Sequence, residues 1–202
     1  MSSFLNRIDQ LVRHLGSNAS AVNAKQGDRV YNFHYRPSEW TEFRQNLHQI
    51  LKRLKDQGFT PHVVSFSDIC LGIFNESRMY TALTKMEGMG AFSHQERNKS
   101  LYSILAGGAL GQPLTSESPI VKALEAGIND AAALDNGVLI LTDMETIHPL
   151  FRVSAFEQIL QGKFIAPTVM CYPGERGNIG DNPSFLGFYK SDGNYRSTHI
   201  YD

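Results

Sequence analysis

The chain is poor in cysteine, has a single tryptophan, and shows no surplus of charge of either sign. Its two cysteines among 202 residues, Cys70 in DICLGIF and Cys171 in TVMCY, sit in apolar settings with neither a second cysteine nor a histidine at metal-ligand spacing. That argues against a structural zinc site and against a disulfide-stapled scaffold, and both read as buried free thiols. With 19 Lys+Arg against 20 Asp+Glu the formal net charge is -1, so the chain as a whole lacks the basic footprint of an independent nucleic-acid binder, although a local basic patch stays open. The start, MSSFLNRIDQLVRHLG, carries polar or charged residues every few positions and no unbroken apolar stretch. It resembles neither a signal peptide nor a membrane span, and a cytoplasmic protein is expected.

Several catalytic signatures are also missing. The histidines His14, His34, His48, His62, His94 and His199 are scattered, with no HExxH pair, and a metal site is not expected. No GxSxG elbow is present, and neither cysteine has the electropositive setting that activates a thiol. No cofactor is expected.

One stretch invites a phosphate-binding reading. PTVMCYPGERGNIGDN is an apolar strand pattern that breaks into a loop with Gly174, Gly177 and Gly180, a layout that can cradle a phosphate. A Walker loop, however, needs Lys and Ser or Thr after its last glycine, and here Asp181 and Asn182 follow Gly180. A dinucleotide loop needs closely spaced glycines opening a helix, whereas Pro183 leads into the strand-like FLGFY. Glu175 and Asp181 would repel a phosphate unless a metal intervened. The stretch reads as a wide turn from a central strand. It places Tyr172, Arg176 and Asn178 at the carboxyl end of a strand, where open α/β sheets meet ligands and partners. A nucleotide held by Gly174, Gly177 and Gly180, with Asp143 on magnesium, is the alternative.

What is present is alternation. Phe4, Leu5, Ile8, Leu11, Val12 and Leu15 recur at helical spacing up to Gly16, and residues 29–35 read as a first strand. Ser38 is placed to cap a helix with the stripe Trp40, Phe43, Leu47, Ile50, Leu51 and Leu54, ending near Gly58. Its polar face, with Arg44, His48, Lys52, Arg53 and Lys55, could make weak DNA contacts or be only a solvated face. Residues 62–66 read as a second strand, with Ser67-Asp68 capping the next helix. Residues 76–134 read as a helical insertion of three helices separated by Gly- or Pro-containing breaks. GVLILT, residues 137–142, has the continuous apolar character of a strand buried on both faces. A helix over 151–160, a strand over 168–172, and a hairpin of 185–189 with 195–201 complete the pattern. The expected fold is one α/β domain over 1–202, an open and mainly parallel sheet with helices on both faces and a C-terminal edge hairpin.

The loop after GVLILT holds Asp143, Glu145, His148 and Arg152. Asp143 ends a strand as a magnesium-binding carboxylate does, and His148 has the chemistry of a general base. The simpler reading gives Asp143 or Thr146 a capping role, leaves Glu145 solvated and lets His148 fix the turn before Pro149.

The last third of the chain resembles the BrxB family of bacteriophage exclusion (BREX) defence systems. The resemblance rests on VLILTDMETIHPLFRVSAFEQIL, PTVMCYPGE and FLGFYKSDGNYRSTHIYD. Matching positions are Leu141, Thr142, Pro149, Arg152, Tyr172, Pro173, Gly174, Asn194, Tyr195 and Arg196. Asp143 stands where the family pattern has glycine, and Gly193 where it has an acid. The resemblance implies a small non-enzymatic accessory protein, with no catalytic residue to carry over, working beside larger BREX subunits. A PglZ-like subunit of the alkaline-phosphatase fold is the foremost expected partner, with indirect DNA contact within the assembly possible. Arg152, Tyr172, Pro173, Gly174, Arg176, Asn194, Tyr195 and Arg196 are the candidate partner-binding residues, since arginine and aromatics carry interface energy.

Overall fold

Thr168 of a central strand lies beside Val30 of one neighbour and Leu139 of the other, and from this junction a parallel sheet spreads both ways. The computed structural model describes residues 3–19, 29–87, 93–175, 184–186 and 197–200. In chain order the elements are α1 (Ser3–Ala19), β1 (Val30–Tyr35), α2 (Trp40–Asp56), β2 (Thr60–Ser65), α3 (Phe66–Glu76), α4 (Arg78–Glu87), α5 (His94–Ala106), α6 (Pro119–Ala133), β3 (Gly137–Thr142), α7 (Val153–Ile159), β4 (Thr168–Glu175), β5 (Ser184–Phe185) and β6 (Thr198–Ile200). The sheet runs β2-β3-β4-β1-β6, all parallel, with β5 antiparallel to the end of β4. This is the open, mainly parallel α/β sheet that the alternation implies.

The chain crosses the sheet in two directions, and each direction uses its own face, as the handedness of parallel crossovers requires. From β1 it passes over β4 and β3 to β2, carrying α2. On that face Phe4, Ile8 and Leu11 of α1 and Phe43, Ile50 and Leu54 of α2 bury Phe33, Ile140 and Val169. From β2 it returns through β3 to β4, carrying α3 to α7. On that face Phe66, Leu105, Val121, Leu124 and Phe156 cover Leu139, Leu141 and Met170. A strand covered on both sides needs no polar face, and Val138 to Leu141 are all buried.

Within the helical middle, α4 and α5 pack on α3, while α6 lies on β3 and β2 and so belongs to the sheet's own cover. Pro119 opens α6, where its missing N–H costs nothing. Gly107 ends α5 in the left-handed conformation, with φ 75.

Several local expectations are corrected. Helix α1 continues past Gly16 to Ala19. Ser38 does not cap α2: Pro37–Glu39 form a 3-10 turn, and the Glu39 carboxylate accepts from the Arg36 N–H at 2.8 Å. Strand β2 begins at Thr60 and contains Pro61, tolerated because β2 is the sheet's edge. It is Ser65, not Ser67 or Asp68, whose hydroxyl caps α3 by accepting from the Asp68 N–H at 3.2 Å. Phe66 is therefore helical. Helix α7 begins at Val153 rather than Phe151.

Of the expected C-terminal hairpin, residues 187–189, 195–196 and 201 lie outside the described residues. Phe185 pairs with Gly174 of β4, and β6 joins the far edge parallel to β1.

Candidate functional site at the carboxyl ends of the strands

Asp143 is the first residue beyond β3, at φ 58. This left-handed turn is costly for most side chains, and glycine or a short polar residue adopts it most readily. Aspartate adds three hydrogen bonds. Its Oδ1 accepts from Arg44 Nη1 at 2.5 Å, and its Oδ2 accepts from the hydroxyls of Ser65 at 2.6 Å and Thr142 at 3.0 Å. One carboxylate thus ties the ends of β2 and β3 to α2, while itself only 8% exposed.

Glu145, two residues on, accepts from Trp40 Nε1 at 2.8 Å and from the Tyr35 hydroxyl at 3.4 Å. Tyr35 stacks flat on Phe43, with centroids 4.3 Å apart. Burial, and then the Glu145 charge, push the Tyr35 phenol far up, so it serves as a donor. The Arg44 guanidinium lies 5.7 Å from the centre of the Trp40 ring, within cation-π range. Trp40 is 45% exposed and the Arg44 side chain 46%. The rim therefore has a hydrogen-bonded acidic base and an open cap of tryptophan and arginine.

A second polar group lies near the far edge, on the face of β1 opposite Phe33. His34 Nε2 is 2.8 Å from His199 Nδ1, and Asn32 Nδ2 donates to the Ser197 hydroxyl at 2.6 Å. Burial, then the neighbouring His199 and Arg7, push His34 down to about 3. His199 is lowered by burial. The Tyr172 ring lies 4.8 Å from His34 and 5.3 Å, edge-on, from Phe185.

The residues singled out from sequence fall in several places. Arg152 is exposed at the start of α7. Tyr172, Pro173 and Gly174 are buried in β4, so they shape the rim from beneath. A Cβ on Gly174 would sit 2.3 Å from the Ser184 carbonyl oxygen, and glycine is what lets β5 close on β4. Arg176, Gly177, Asn178, Gly180, Tyr189, Asn194, Tyr195 and Arg196 lie outside the described residues. In the nucleotide alternative Asp143 would hold magnesium, but here both of its oxygens are engaged by protein donors. Among the described residues no group of three His, Cys, Asp or Glu side chains is placed to hold a metal ion. His148 is lowered by burial and by Arg152 and stacks, half-buried, on Phe185. Burial raises Cys70 to about 11, and Cys171 further.

Sequence reasoning missed Trp40 and the His34–His199 pair. Trp40 falls in the apolar stripe that helical spacing gives α2, yet it is the first residue of that helix and stands at the rim. The entry turn at Pro37 was the available signal.

Fold and rim together define an open parallel α/β domain with a preorganised polar patch at the carboxyl ends of its strands. The family model described as BREX protein BrxB matches residues 62–200, and the chain belongs to the BrxB family. It is accordingly a BREX defence-system component, and its family points to other BREX subunits as partners. No curated protein and no solved structure matches the chain. Among the described residues no helix is long and apolar enough to cross a membrane.

Proposed function

We propose that this chain is a non-enzymatic adaptor that docks on a larger BREX subunit, a PglZ-like protein of the alkaline-phosphatase fold, through the carboxyl rim of its sheet. The observation that carries this reading is the exposed Trp40–Arg44 pair, held from below by Glu145 and Asp143. Tryptophan and arginine are the side chains most enriched at interface hot spots, and a pair already fixed by hydrogen bonds loses little freedom on binding. Exposed Arg152, leading into α7, adds a further arginine. The adaptor reading also draws support from the chemistry of the described site: a carboxylate with both oxygens occupied, thiols held protonated, and a histidine held neutral are poor nucleophiles, acids or bases at neutral pH.

The test is calorimetric titration of this protein with the PglZ-like protein from the same source, followed by the variants Trp40→Ala and Arg152→Ala. A stoichiometric complex is expected, weakened at least about tenfold by Trp40→Ala. Absence of binding at low and high salt would reject the partner. Full affinity in both variants would reject the surface.

A further inference from the structure

Helix α2 is packed on the sheet through Phe43, Ile50 and Leu54, and its outer surface carries a continuous basic line. Arg44, His48, Lys52 and Lys55 are all exposed. At 100° per residue these four positions fall within about 80° of the helix circumference and span roughly 16 Å along it. The exposed acids of the helix, Glu42 and Asp56, lie outside that arc, and Asp56 is on the side turned toward α1. There Asp9, Arg13, Arg53 and Asp56 line an open groove of about 680 Å³, and Arg53 is paired with Asp9. The groove is balanced in charge; the line is not.

We propose that the Arg44–His48–Lys52–Lys55 line is a binding surface for the phosphate backbone of duplex DNA. Lys52 and Lys55 carry most of the attraction, because Arg44 is shared with Asp143. Between His48 and Lys55 the exposed positions are polar or charged, so the line has no apolar anchor of the kind that protein hot spots require. Long cationic side chains on a rigid helix suit regularly spaced, solvated phosphates, which are bound through counterion release and need no desolvated pocket. The near-neutral net charge of the chain makes such contact weak and salt-sensitive. The surface lies beyond Trp40 along the helix and shares only Arg44 with the docking proposal; Lys52 and Lys55, which carry it, lie outside the docking pair.

The experiment is fluorescence anisotropy of a labelled 24-base-pair DNA duplex titrated with the full chain at several salt concentrations. Binding is expected at low salt, with log K falling against log salt at a slope of about −2 to −4. Lys52→Gln with Lys55→Gln should weaken binding at least tenfold and reduce the slope by about 2. Lys122→Gln with Lys163→Gln, which removes equal charge from the opposite face, should leave both unchanged. These exposed changes are checked for retained fold by circular dichroism. Absent or salt-insensitive binding, or equal weakening by the two double variants, would overturn the proposal. So would displacement of the duplex by poly-glutamate as readily as by unlabelled duplex, which would assign the line to an acidic protein segment.

Discussion

His34 Nε2 and His199 Nδ1 face each other across 2.8 Å, linking the strand at the sheet's edge to its inner neighbour. One of these nitrogens must donate and the other accept, so at most one ring can carry a proton at that contact. Burial, then His199, then Arg7, whose Nη1 donates to the His34 carbonyl at 2.8 Å, hold His34 down to about 3. The folded value lies below the unfolded value of about 6.5, so below that pH the unfolded chain binds more protons. The stabilisation is whole above pH ~6.5 and is lost as pH falls toward 3. Urea unfolding at pH 7, 6 and 5 should show stability falling by about 1.4 kcal/mol per pH unit on the acid side. His34→Asn, though less stable at pH 7, should flatten that slope. An unchanged slope in the variant would place the acid sensitivity elsewhere.

Asp143 combines two roles that substitutions can separate. Asparagine tolerates φ 58 but cannot match a carboxylate as acceptor for Arg44 and Ser65; Asp143→Asn should cost about 1–2 kcal/mol. Glycine relieves the backbone and removes every acceptor. Alanine removes the acceptors and retains the strain, so Asp143→Ala should be the worst of the three, by about 1 kcal/mol over glycine. Denaturant midpoints at constant slope would give this ranking. Equal midpoints for the glycine and alanine variants would show that the turn is unstrained.

The strands were legible where burial on both faces writes a continuous apolar run: residues 137–142 were read at their observed bounds. The stripes of α1 and α2 were equally plain, because three- and four-residue steps mark the face that packs. Polar residues misled. Asn32 and His34 alternate with apolar neighbours and suggest a wet face, yet both are buried and find His199 and Ser197 from far along the chain. The rim was half-legible for the same reason. Asp143 and Arg152 stood out locally, but only the fold brings Arg44, Ser65 and Trp40 to meet that loop, and no spacing in the sequence encodes a contact between residues about a hundred positions apart.

Gly127 reports how closely α6 lies on the edge strand. A Cβ there would come 2.7 Å from Val64 Cγ2, so Gly127→Ala should cost about 1–3 kcal/mol through overpacking, despite alanine's better helix propensity. Val64→Ala creates the space that the added methyl needs. The double variant should be more stable than the sum of the single losses by at least about 0.5 kcal/mol. Simple additivity in urea unfolding would mean that α6 shifts away from the strand and does not press on it.

Arg7 connects α1 to the rim. It is 3% exposed, its Nη2 lies 2.9 Å from Glu39 Oε2, and its guanidinium lies 5.4 Å from the centre of the Phe4 ring. Glu39 directly precedes Trp40, so the same ion pair that seats α1 also fixes the turn from which Trp40 projects. Replacing Arg7 by alanine strips a partner from a largely buried carboxylate and opens a gap, and should cost about 3–5 kcal/mol. Arg7→Met keeps more of the packing and should cost less, leaving a folded protein in which the turn at Glu39 is slackened. Trp40 is the chain's single tryptophan, so its fluorescence reports the rim directly. In Arg7→Met the emission should shift to the red, and affinity for the PglZ-like protein should fall severalfold even though Arg7 is buried and cannot touch a partner. Unchanged emission with weakened docking would mean that α1 itself is contacted. Unchanged emission with full affinity would show that Glu39 holds the rim without Arg7.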